Sequence, residues 1–276
     1  MKLLFIGDIV GRPGRDLVRR HLKALTASLG VDLVIANGEN AAGGAGITRD
    51  NTNEILAAGV DVITTGNHVW DKRETLEFIG AEPRLIRPAN YPAGTPGLGS
   101  YVVRSRDGAR VGVVNVMGRV FLQAIDDPFR VAEREIERVR NDGAQIVFVD
   151  IHAETTSEKM ALGWYLDGKV SAVVGTHTHV QTADERILPG GTAYLTDVGM
   201  TGPHDGVIGM EREAVIARFM SSLPVRFEPA SGDARLHGVT ITADPTTGKA
   251  TAIERVALTE EQLKIITDAA SAVASR

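Results

Sequence analysis

The feature that most constrains the fold is an alternation of short apolar runs with helical patterns through the first two-thirds of the chain. The apolar runs cover residues 3–6, 33–36, 60–65, 111–116, 146–151 and 172–175. Helical patterns separate or precede them at residues 15–29, 49–58, 71–79, 131–140 and 157–166. Runs that are apolar on both faces and interleaved with helices are typical of a buried parallel sheet. We therefore expect an α/β fold with a largely parallel sheet covered by helices on both faces.

The last third of the chain has a different pattern, with many apolar runs and few helices between them. Strands are predicted at residues 192–196, 225–227, 239–243 and 252–257, and helices at residues 211–220 and 260–273. These strands are expected to run antiparallel and to complete or back the sheet. The Pro- and Gly-rich residues 88–99 are predicted to form an ordered surface loop. With 276 residues, 43% hydrophobic, the chain fits a single domain over residues 1–276.

Charge and composition exclude several functional classes. The net charge of −5 argues against binding to duplex nucleic acid, and no basic run indicates a lipid surface. The N-terminal apolar stretch ends at Asp8, too early for a signal peptide, and no later stretch could span a bilayer. A cytoplasmic location is therefore expected. The absence of cysteine removes disulfides, thiolate metal sites and a cysteine nucleophile, so histidine and carboxylate chemistry remains.

Polar side chains follow five of the predicted strands. They are Asp8, Glu39, Asn40, Asn67, His68, His152, His177 and His179. Because the carboxyl ends of parallel strands share one edge, these side chains are expected to converge there. A single histidine is more often structural than a ligand, but four of the seven histidines fall at strand ends. Three similar polar residues, Asn37, Asn90 and Asp150, are interpreted as ordinary turn residues.

This set of side chains predicts a metal centre. Imidazole nitrogens together with carboxylate and amide oxygens suit first-row ions such as Fe, Mn, Zn or Co. The candidate ligands are Asp8, Glu39, Asn40, Asn67, His152, His177 and His179, which are too many for one ion. Two ions bridged by a carboxylate, clamping the oxygens of a phosphoryl group, are the economical interpretation.

These residues resemble the calcineurin-like metallophosphoesterase superfamily. The matching motifs are Gly7-Asp8, Gly38-Glu39-Asn40, Gly66-Asn67-His68, His152 and Gly175-Thr176-His177-Thr178-His179. Within it, the motifs GDIVGRPGR at 7–15, NGENAAGG at 37–44, GNHVWD at 66–71 and DVGMTGP at 197–203 are similar to the YmdB-like branch of bacterial cyclic-nucleotide phosphodiesterases. The resemblance covers essentially the whole chain and implies a metallophosphoesterase sandwich, with mixed sheets flanked by helices.

The sequence departs from the superfamily pattern in three places. The usual Asp-x-His of the first strand is Asp8-Ile9-Val10, and resemblance to the branch implies that Asn40 replaces the missing histidine. The bridging residue is Glu39 instead of aspartate, and the last motif has an extra residue before His177. These departures are compatible with the two-metal scheme, but they leave the preferred metal open.

The resemblance implies a mechanism and a distribution of roles. One ion would be held by Asp8, Glu39, Asn40 and His179, and the other by Glu39, Asn67, His152 and His177. A hydroxide bridging the two ions would attack phosphorus, and His68 would protonate the departing alkoxide or stabilise the transition state. Asp71 would either orient His68 or cap the following helix, and capping is the favoured alternative.

The implied substrate is a small phosphate diester, in particular a 2′,3′-cyclic nucleotide and alternatively a 3′,5′-cyclic one. Gly43 and Gly44 either let the nucleotide approach the backbone or form a flexible turn. Arg12 is either a phosphate contact or a surface arginine. Similarity alone places Met200, Thr201 and Gly202 at the substrate.

Other functions compete with this one. Residues 7–14 resemble a dinucleotide-binding turn, but the glycine spacing is wrong and Asp8 would repel a pyrophosphate. A nucleotide- or metal-sensing regulator with little turnover would need the ligands but not His68. A metal-dependent amidohydrolase would use the same ions on a carbonyl group. The apolar residues Phe121, Leu122 and Ile125 could form an oligomer contact, a lid or part of the core.

Overall fold

The computed structural model describes residues 1–274, which form two β-sheets flanked by helices. The strands are β1 (Lys2–Ile6), β2 (Asp8–Ile9), β3 (Leu33–Asn37), β4 (Val62–Thr64), β5 (Ser100–Arg104), β6 (Arg110–Met117), β7 (Ile146–His152), β8 (Ala172–Thr176), β9 (Arg186–Ile187), β10 (Ala193–Leu195), β11 (Met200–Pro203), β12 (Ala234–Ala243) and β13 (Ala250–Thr259). The helices are α1 (Gly11–Leu29), α2 (Arg49–Ala57), α3 (Thr75–Phe78), α4 (Pro128–Asn141), α5 (Thr156–Tyr165), α6 (Arg212–Ser221) and α7 (Glu260–Ala274), with a 3-10 turn at Ile79–Ala81.

The first sheet has the strand order β2-β11-β12-β1-β3-β4. Strands β11 and β1 pair with successive parts of one edge of β12, and β13 pairs with the opposite edge. Strands β1, β3 and β4 run parallel, whereas β12 is antiparallel to β1 and to β13. The second sheet has the order β5-β6-β7-β8-β10-β9. Its central strands β6, β7, β8 and β10 are parallel, and β5 and β9 are antiparallel edge strands.

The two sheets pack face to face through alternate residues of their strands. Leu3 and Phe5 point to the inner face, where the Phe5 ring lies 4.8 Å from that of Phe148 in the second sheet. Leu4 and Ile6 point outward into a cluster that includes residues of α1 and α2. A third cluster joins the outer face of the second sheet to α4 and α5. The order of layers is therefore helices, sheet, sheet, helices, which buries both faces of each sheet.

Several predicted elements are confirmed, and their ends follow from local chemistry. Helix α1 ends at Gly30, which has a left-handed backbone with φ 64°. The hydroxyl of Thr48 caps α2 by accepting a hydrogen bond from the amide of Asn51. The surface loop at residues 88–99 is ordered by Arg87, whose guanidinium donates to the carbonyls of Pro88, Thr95 and Pro96.

The apolar pattern alone predicted one parallel sheet covered by helices on both faces, which is wrong, whereas the sandwich of mixed sheets implied by the resemblance is confirmed. Each sheet has helices on its outer face alone, and its inner face is covered by the other sheet. A strand that is apolar on both faces has the same sequence pattern whether a helix or a sheet covers it, so the pattern cannot distinguish the two cases. Strand β10 was expected to be antiparallel but runs parallel to β8.

Local differences also appear at single elements. Residues 225–227 form no strand. The helix expected over residues 71–79 is the short α3, preceded by turns, and α1 begins at Gly11 instead of residue 15. Strands β5 and β11 were not predicted. The predicted single domain includes residues 275 and 276, which lie outside the described residues.

Phe121, Leu122 and Ile125 have different environments. Leu122 and Ile125 are partly buried against the core between the first sheet and its helices, whereas Phe121 is 86% exposed. Among residues 1–274, no helix is both long and apolar enough to cross a membrane.

Candidate active site

Strand ends of both sheets bring the predicted ligands together. Asp8 lies in β2, Glu39 and Asn40 follow β3, and Asn67 follows β4 in the first sheet. The second sheet contributes His152 at the end of β7, and His177 and His179 after β8. Asp8, Glu39, Asn40 and His152 are at most 2% exposed. The predicted convergence is therefore observed, although the two edges belong to two sheets instead of one.

The first group of candidate metal ligands, called the first ligand group below, consists of Glu39, Asn67, His152 and His177. Its centre is Nε2 of His152, which lies 3.1 Å from Oε1 of Glu39, 2.9 Å from Oδ1 of Asn67 and 3.1 Å from Nδ1 of His177. Ligand atoms of Glu39, His152 and His177 all lie within 4.8 Å of one another. One imidazole N–H cannot form hydrogen bonds with three such neighbours at once. The arrangement matches instead a set of metal-ligating atoms around a shared cation.

The second ligand group consists of Asp8, Asn40 and His179. Nδ2 of Asn40 lies 3.1 Å from Nε2 of His179 and 3.2 Å from Oε1 of Glu39, which connects the two groups. Oδ2 of Asp8 accepts a hydrogen bond from the amide of His177, but its buried Oδ1 has no hydrogen-bond partner. A buried carboxylate oxygen without a partner is costly, and a bound cation would satisfy it.

Each histidine ligand is oriented by a hydrogen bond at its outer nitrogen. Nδ1 of His179 lies 2.9 Å from the carbonyl oxygen of Ile208, and Nε2 of His177 lies 2.9 Å from Oε2 of Glu154. Both oxygens can only accept, so these nitrogens carry protons and the nitrogens facing the site carry lone pairs.

His152 is oriented by a chain of two side chains. Its Nδ1 lies 2.9 Å from Oγ1 of Thr176, whose hydroxyl donates to the buried Oδ1 of Asp150. Because the single hydroxyl proton goes to Asp150, Thr176 accepts from Nδ1–H of His152. The other oxygen of Asp150 accepts from Thr64 and Asn37, so this carboxylate links β3, β4 and β8.

Electrostatics within the site favour a positive charge at its centre. Burial opposes ionisation of Glu39, but the charge of His152 and its hydrogen bond outweigh burial and lower the pKa of Glu39 to about 2. Burial also opposes protonation of His152, but Glu39 raises the pKa of His152 to about 9. Burial and repulsion from His152 lower the pKa of His177 to about 3, and burial raises the pKa of Asp8. The site thus stabilises a positive charge on His152, and the oxygen and nitrogen atoms around that charge would also suit a metal cation.

The loop carrying His177 and His179 is held by a buried ion pair. Nζ of Lys159 lies 2.7 Å from Oδ2 of Asp197, and both side chains are fully buried. The same carboxylate oxygen accepts from the amide and the hydroxyl of Thr178. His177 and His179 have positive φ angles of 97° and 64°, which are unfavourable for residues with a side chain, so this anchoring fixes a strained loop.

Close packing explains the glycine of the GNH motif. A Cβ added to Gly66 would lie 2.2 Å from ring atoms of His152 and 2.4 Å from Oε2 of Glu39. No side chain can be accommodated at that distance, so glycine is required for the first ligand group to assemble.

His68 lies at the border of the ligand groups. Its amide donates to Oε2 of Glu39 at 3.1 Å, and its Nδ1 lies 2.8 Å from Oδ2 of Asp71. The favoured role of Asp71 as a helix cap is wrong, because α3 begins at Thr75 and Asp71 contacts His68 instead. This contact leaves Nε2 of His68 as the nitrogen available for proton transfer.

The structure does not bring Arg12 and Gly43 into contact with the ligands. The Arg12 side chain is 83% exposed, with Nε 3.6 Å from Oδ2 of Asp16. Gly43 is exposed with open space around it, whereas Gly44 is packed under Met210, and their φ angles are 70° and 92°. Both glycines therefore occupy a turn that requires positive φ.

Strand β11 places Met200, Thr201 and Gly202 beside the N-terminal strands. Met200 pairs in register with Asp8, and it lines a cavity together with His179. The hydroxyl of Thr201 donates to the carbonyl of His237, and Gly202 lies against Val10. Of these three residues, Met200 is the one that lines a cavity, next to the candidate metal ligand His179.

Four residues at the site were missed or misinterpreted from the sequence. Asp150 was interpreted as a turn residue but is fully buried within β7, where it orients His152 through Thr176. Glu154, which contacts His177, lies two residues after His152, and this proximity was a usable signal. Asp197 belongs to the DVGMTGP motif, but nothing in the sequence connects it to Lys159.

Comparisons with known proteins agree with this geometry. The model of the YmdB-like protein family matches residues 4–256. A 2′,3′-cyclic-nucleotide 2′-phosphodiesterase of Bacillus subtilis (strain 168) is 52% identical over 263 residues, which cover 95% of this chain and 99% of that protein.

Solved structures show the same fold. The crystal structure of a phosphatase from Mycoplasma pneumoniae matches with a TM-score of 0.87 and 35% identity, covering 96% of each chain. A 5′-nucleotidase precursor from Thermus thermophilus matches in fold alone, with a TM-score of 0.56 and 15% identity, covering 100% of this chain and 58% of that one. The α/β sandwich of two mixed sheets is thus the metallophosphoesterase fold, and the chain belongs to the YmdB-like protein family.

Proposed function

We propose that the protein is a dinuclear metal-dependent phosphodiesterase that hydrolyses small phosphate diesters, in particular 2′,3′-cyclic nucleotides. The observation that carries this proposal is the orientation of His152, His177 and His179, whose inner nitrogens converge with two buried carboxylates. The substrate follows from the activity named for the Bacillus subtilis relative. The metallophosphoesterase fold supports the same class of reaction. We propose that the whole chain acts as one domain.

The donor set fits two first-row ions such as Fe, Mn or Zn. Asp8, Glu39, Asn40 and His179 would hold one ion, and Glu39, Asn67, His152 and His177 the other. The unpartnered Oδ1 of Asp8 and the crowded Nε2 of His152 support one ion in each group. When bound, such a pair supplies Lewis acidity at the phosphoryl oxygens and a water-derived nucleophile near neutral pH.

His68 and Asp71 supply the proton chemistry in this proposal. The carboxylate of Asp71 accepts from Nδ1–H of His68 and so holds the ring in one orientation. A proton carried at Nε2 of His68 would pass to the alkoxide that leaves phosphorus. The amide of His68 donates to Glu39, which places this acid next to the ligand groups. A regulator that only senses nucleotides or metals would have no use for this pair.

The decisive experiment combines metal content with hydrolysis. The purified protein, Glu39→Gln, His68→Asn and the exposed control Glu77→Gln would be assayed for bound metals. The same samples would be tested on 2′,3′- and 3′,5′-cyclic nucleotides, a generic diester, a monoester and an amide. We expect about two ions per chain and diester turnover in the wild type and the control.

The two variants separate metal binding from acid chemistry. Glu39→Gln should lose both ions and activity, because Glu39 contacts both ligand groups. His68→Asn should keep its ions while turnover falls by about 10²–10⁴-fold. Bound metal with no hydrolysis of any ester would overturn the proposal in favour of a sensor, and cleavage of amides alone would favour an amidohydrolase.

A further inference from the structure

A cavity of about 410 Å³ borders the second ligand group at His179. Its walls include the apolar side chains Val180, Met200 and Ile208 and the imidazoles of His204 and His237. The volume is in the range of pockets that hold small organic ligands, about 300–1,000 Å³, and the mainly apolar lining with few polar groups is typical of them.

His204 and His237 come from separate segments and meet at this cavity. Their ring centroids are 4.6 Å apart, with the planes inclined at 58°. Nε2 of His204 and Nδ1 of His237 are buried and have no hydrogen-bond partner. Buried nitrogens without partners are uncommon in native proteins. Nδ1 of His237 lies against Gly199, so the nitrogen left for a ligand in the cavity is Nε2 of His204.

The hydrogen-bonding role of His204 is fixed by its other nitrogen. Nδ1 of His204 lies 3.1 Å from the carbonyl oxygen of Gly202, which can only accept a hydrogen bond. Nδ1 therefore carries the proton, and Nε2 has a lone pair that needs a donor. Burial lowers the pKa of His204 and, together with repulsion from His204, lowers the pKa of His237 to about 4. Both shifts favour the neutral form of the rings, which can stack on another flat ring.

We propose that this cavity binds the nucleobase of the substrate, with Nε2 of His204 accepting a hydrogen bond from an N–H group on the base edge. Unstacked bases are typically held between aromatic or imidazole rings and apolar side chains and recognised through hydrogen bonds at their edges. Every common base carries at least one N–H donor, whereas the sugar and the phosphate offer no flat surface for the two rings.

The cavity is connected to the ligand groups by two contacts. Ile208, in its wall, accepts the hydrogen bond from Nδ1 of His179, and Met200 pairs in register with Asp8. A nucleotide whose phosphate lies at Asp8 and His179 would therefore have this cavity beside it. The assignment rests on the proposed phosphodiesterase function, and it explains how the protein would distinguish a nucleotide from other small diesters.

The test compares substrates with and without a base. The ratio of kcat/KM for each 2′,3′-cyclic nucleotide to that for ribose 2,3-cyclic phosphate would be measured for the metal-loaded wild type, His204→Phe and His237→Phe. Phenylalanine keeps a flat ring of similar size but offers no nitrogen. His21→Phe is the matched control, because His21 also has a buried unpartnered nitrogen but lies on α1 beside Thr267.

We expect at least one nucleotide to be preferred over ribose cyclic phosphate by tenfold or more in the wild type. His204→Phe should lower this preference by about tenfold, the value of one lost hydrogen bond, mainly through KM. His21→Phe should keep it. A preference unchanged in both His204→Phe and His237→Phe, or no preference for any base in the wild type, would overturn the base site while leaving the phosphodiesterase intact.

Direct binding measurements distinguish failure of the base-site proposal from failure of the phosphodiesterase proposal. Adenosine, guanosine, cytidine and uridine would be titrated calorimetrically into the wild type and His204→Phe. If no cyclic phosphate is hydrolysed, the phosphodiesterase proposal fails, and nucleoside binding that is weakened about tenfold in His204→Phe would still establish the cavity as a base site. Absence of nucleoside binding together with absence of base preference would exclude it.

Discussion

The first and second ligand groups are built from the same kinds of side chain but are supported differently. In the first, His152 is held by Thr176 and Asp150, and His177 by Glu154. In the second, His179 is held by the backbone carbonyl of Ile208, which has a strained φ of 45° and also borders the cavity. Side-chain carboxylates thus preorganise one half of the site, whereas a loop shapes the other. Two groups built from the same kinds of side chain are therefore expected to differ in metal affinity.

The largest expected effects come from removing one histidine of each group. His177→Ala and His179→Ala should each lower diester turnover by about 10³-fold, because each disrupts one half of the proposed two-metal centre. Each variant should retain about one ion per chain. The ion left in His179→Ala should bind more tightly, since the first ligand group stays intact in that variant.

Competition with a coloured chelator would measure the affinity of the remaining ion in each variant. Equal affinities in the two variants, or tighter binding in His177→Ala, would refute the difference between the groups.

The loop that serves both groups should be sensitive to its buried anchor. Lys159→Met leaves the carboxylate of Asp197 buried without its cation, and we expect a loss of about 3–5 kcal/mol in the free energy of unfolding. Urea denaturation measures this change. Lys169→Met is the matched control, because the Lys169–Glu133 pair has a similar distance of 2.6 Å but is about half exposed.

Loss of the exposed pair should cost much less than loss of the buried pair. Similar losses in the two lysine variants would show that Lys159 is not an anchor.

A smaller effect is expected from the hydroxyl that orients His152. Thr176→Val keeps the shape of the side chain but removes the acceptor for Nδ1–H, and should weaken metal binding to the first group by about 10–100-fold. Thr64→Val is the control, because Thr64 donates to the same carboxylate of Asp150 without touching His152. Metal titration that shows equal weakening in both variants would assign the effect to Asp150 and not to the orientation of His152.

The smallest effect is expected at Glu154, whose side chain is 48% exposed. Glu154→Gln keeps an oxygen that accepts from Nε2 of His177 but removes the charge, so metal affinity should fall by less than about tenfold. Glu137→Gln on the exposed surface of α4 is a control for charge alone. A fall in metal affinity as large as that in Thr176→Val would show that the exposed Glu154 orients His177 as effectively as the buried Thr176 orients His152.

The convergence of the candidate ligands could be predicted from the sequence because it depends on local order. Strand ends are visible as the points where apolar runs stop, and Asp8, Glu39 and His152 all occupy such points. The Gly-Thr-His-Thr-His motif is visible in the same way. The orienting contacts were harder to predict because they depend on pairing between strands: Asp150 reaches Thr176 across neighbouring β7 and β8.

The resemblance predicted the arrangement of sheets, but the apolar pattern alone could not, for a related reason. Phe5 and Leu4 are both apolar and both fully buried, yet one packs against the second sheet and the other against helices. Hydrophobicity indicates that a side chain is buried but not which element it packs against. The same apolar pattern therefore fits one sheet or two sheets. Likewise, His204 and His237 are separated by 33 residues in sequence and are adjacent only through the strand and loop that carry them.

The ligands come from both sheets, and this gives a bound ion a second consequence. Glu39 follows a strand of the first sheet and His152 ends a strand of the second, so an ion held by both would clasp the two layers at one edge of the sandwich. Its binding free energy would then resist separation of the layers as well as prepare the site for chemistry. Removing metal from the protein should therefore weaken the packing between the sheets at the edge that carries the candidate ligands.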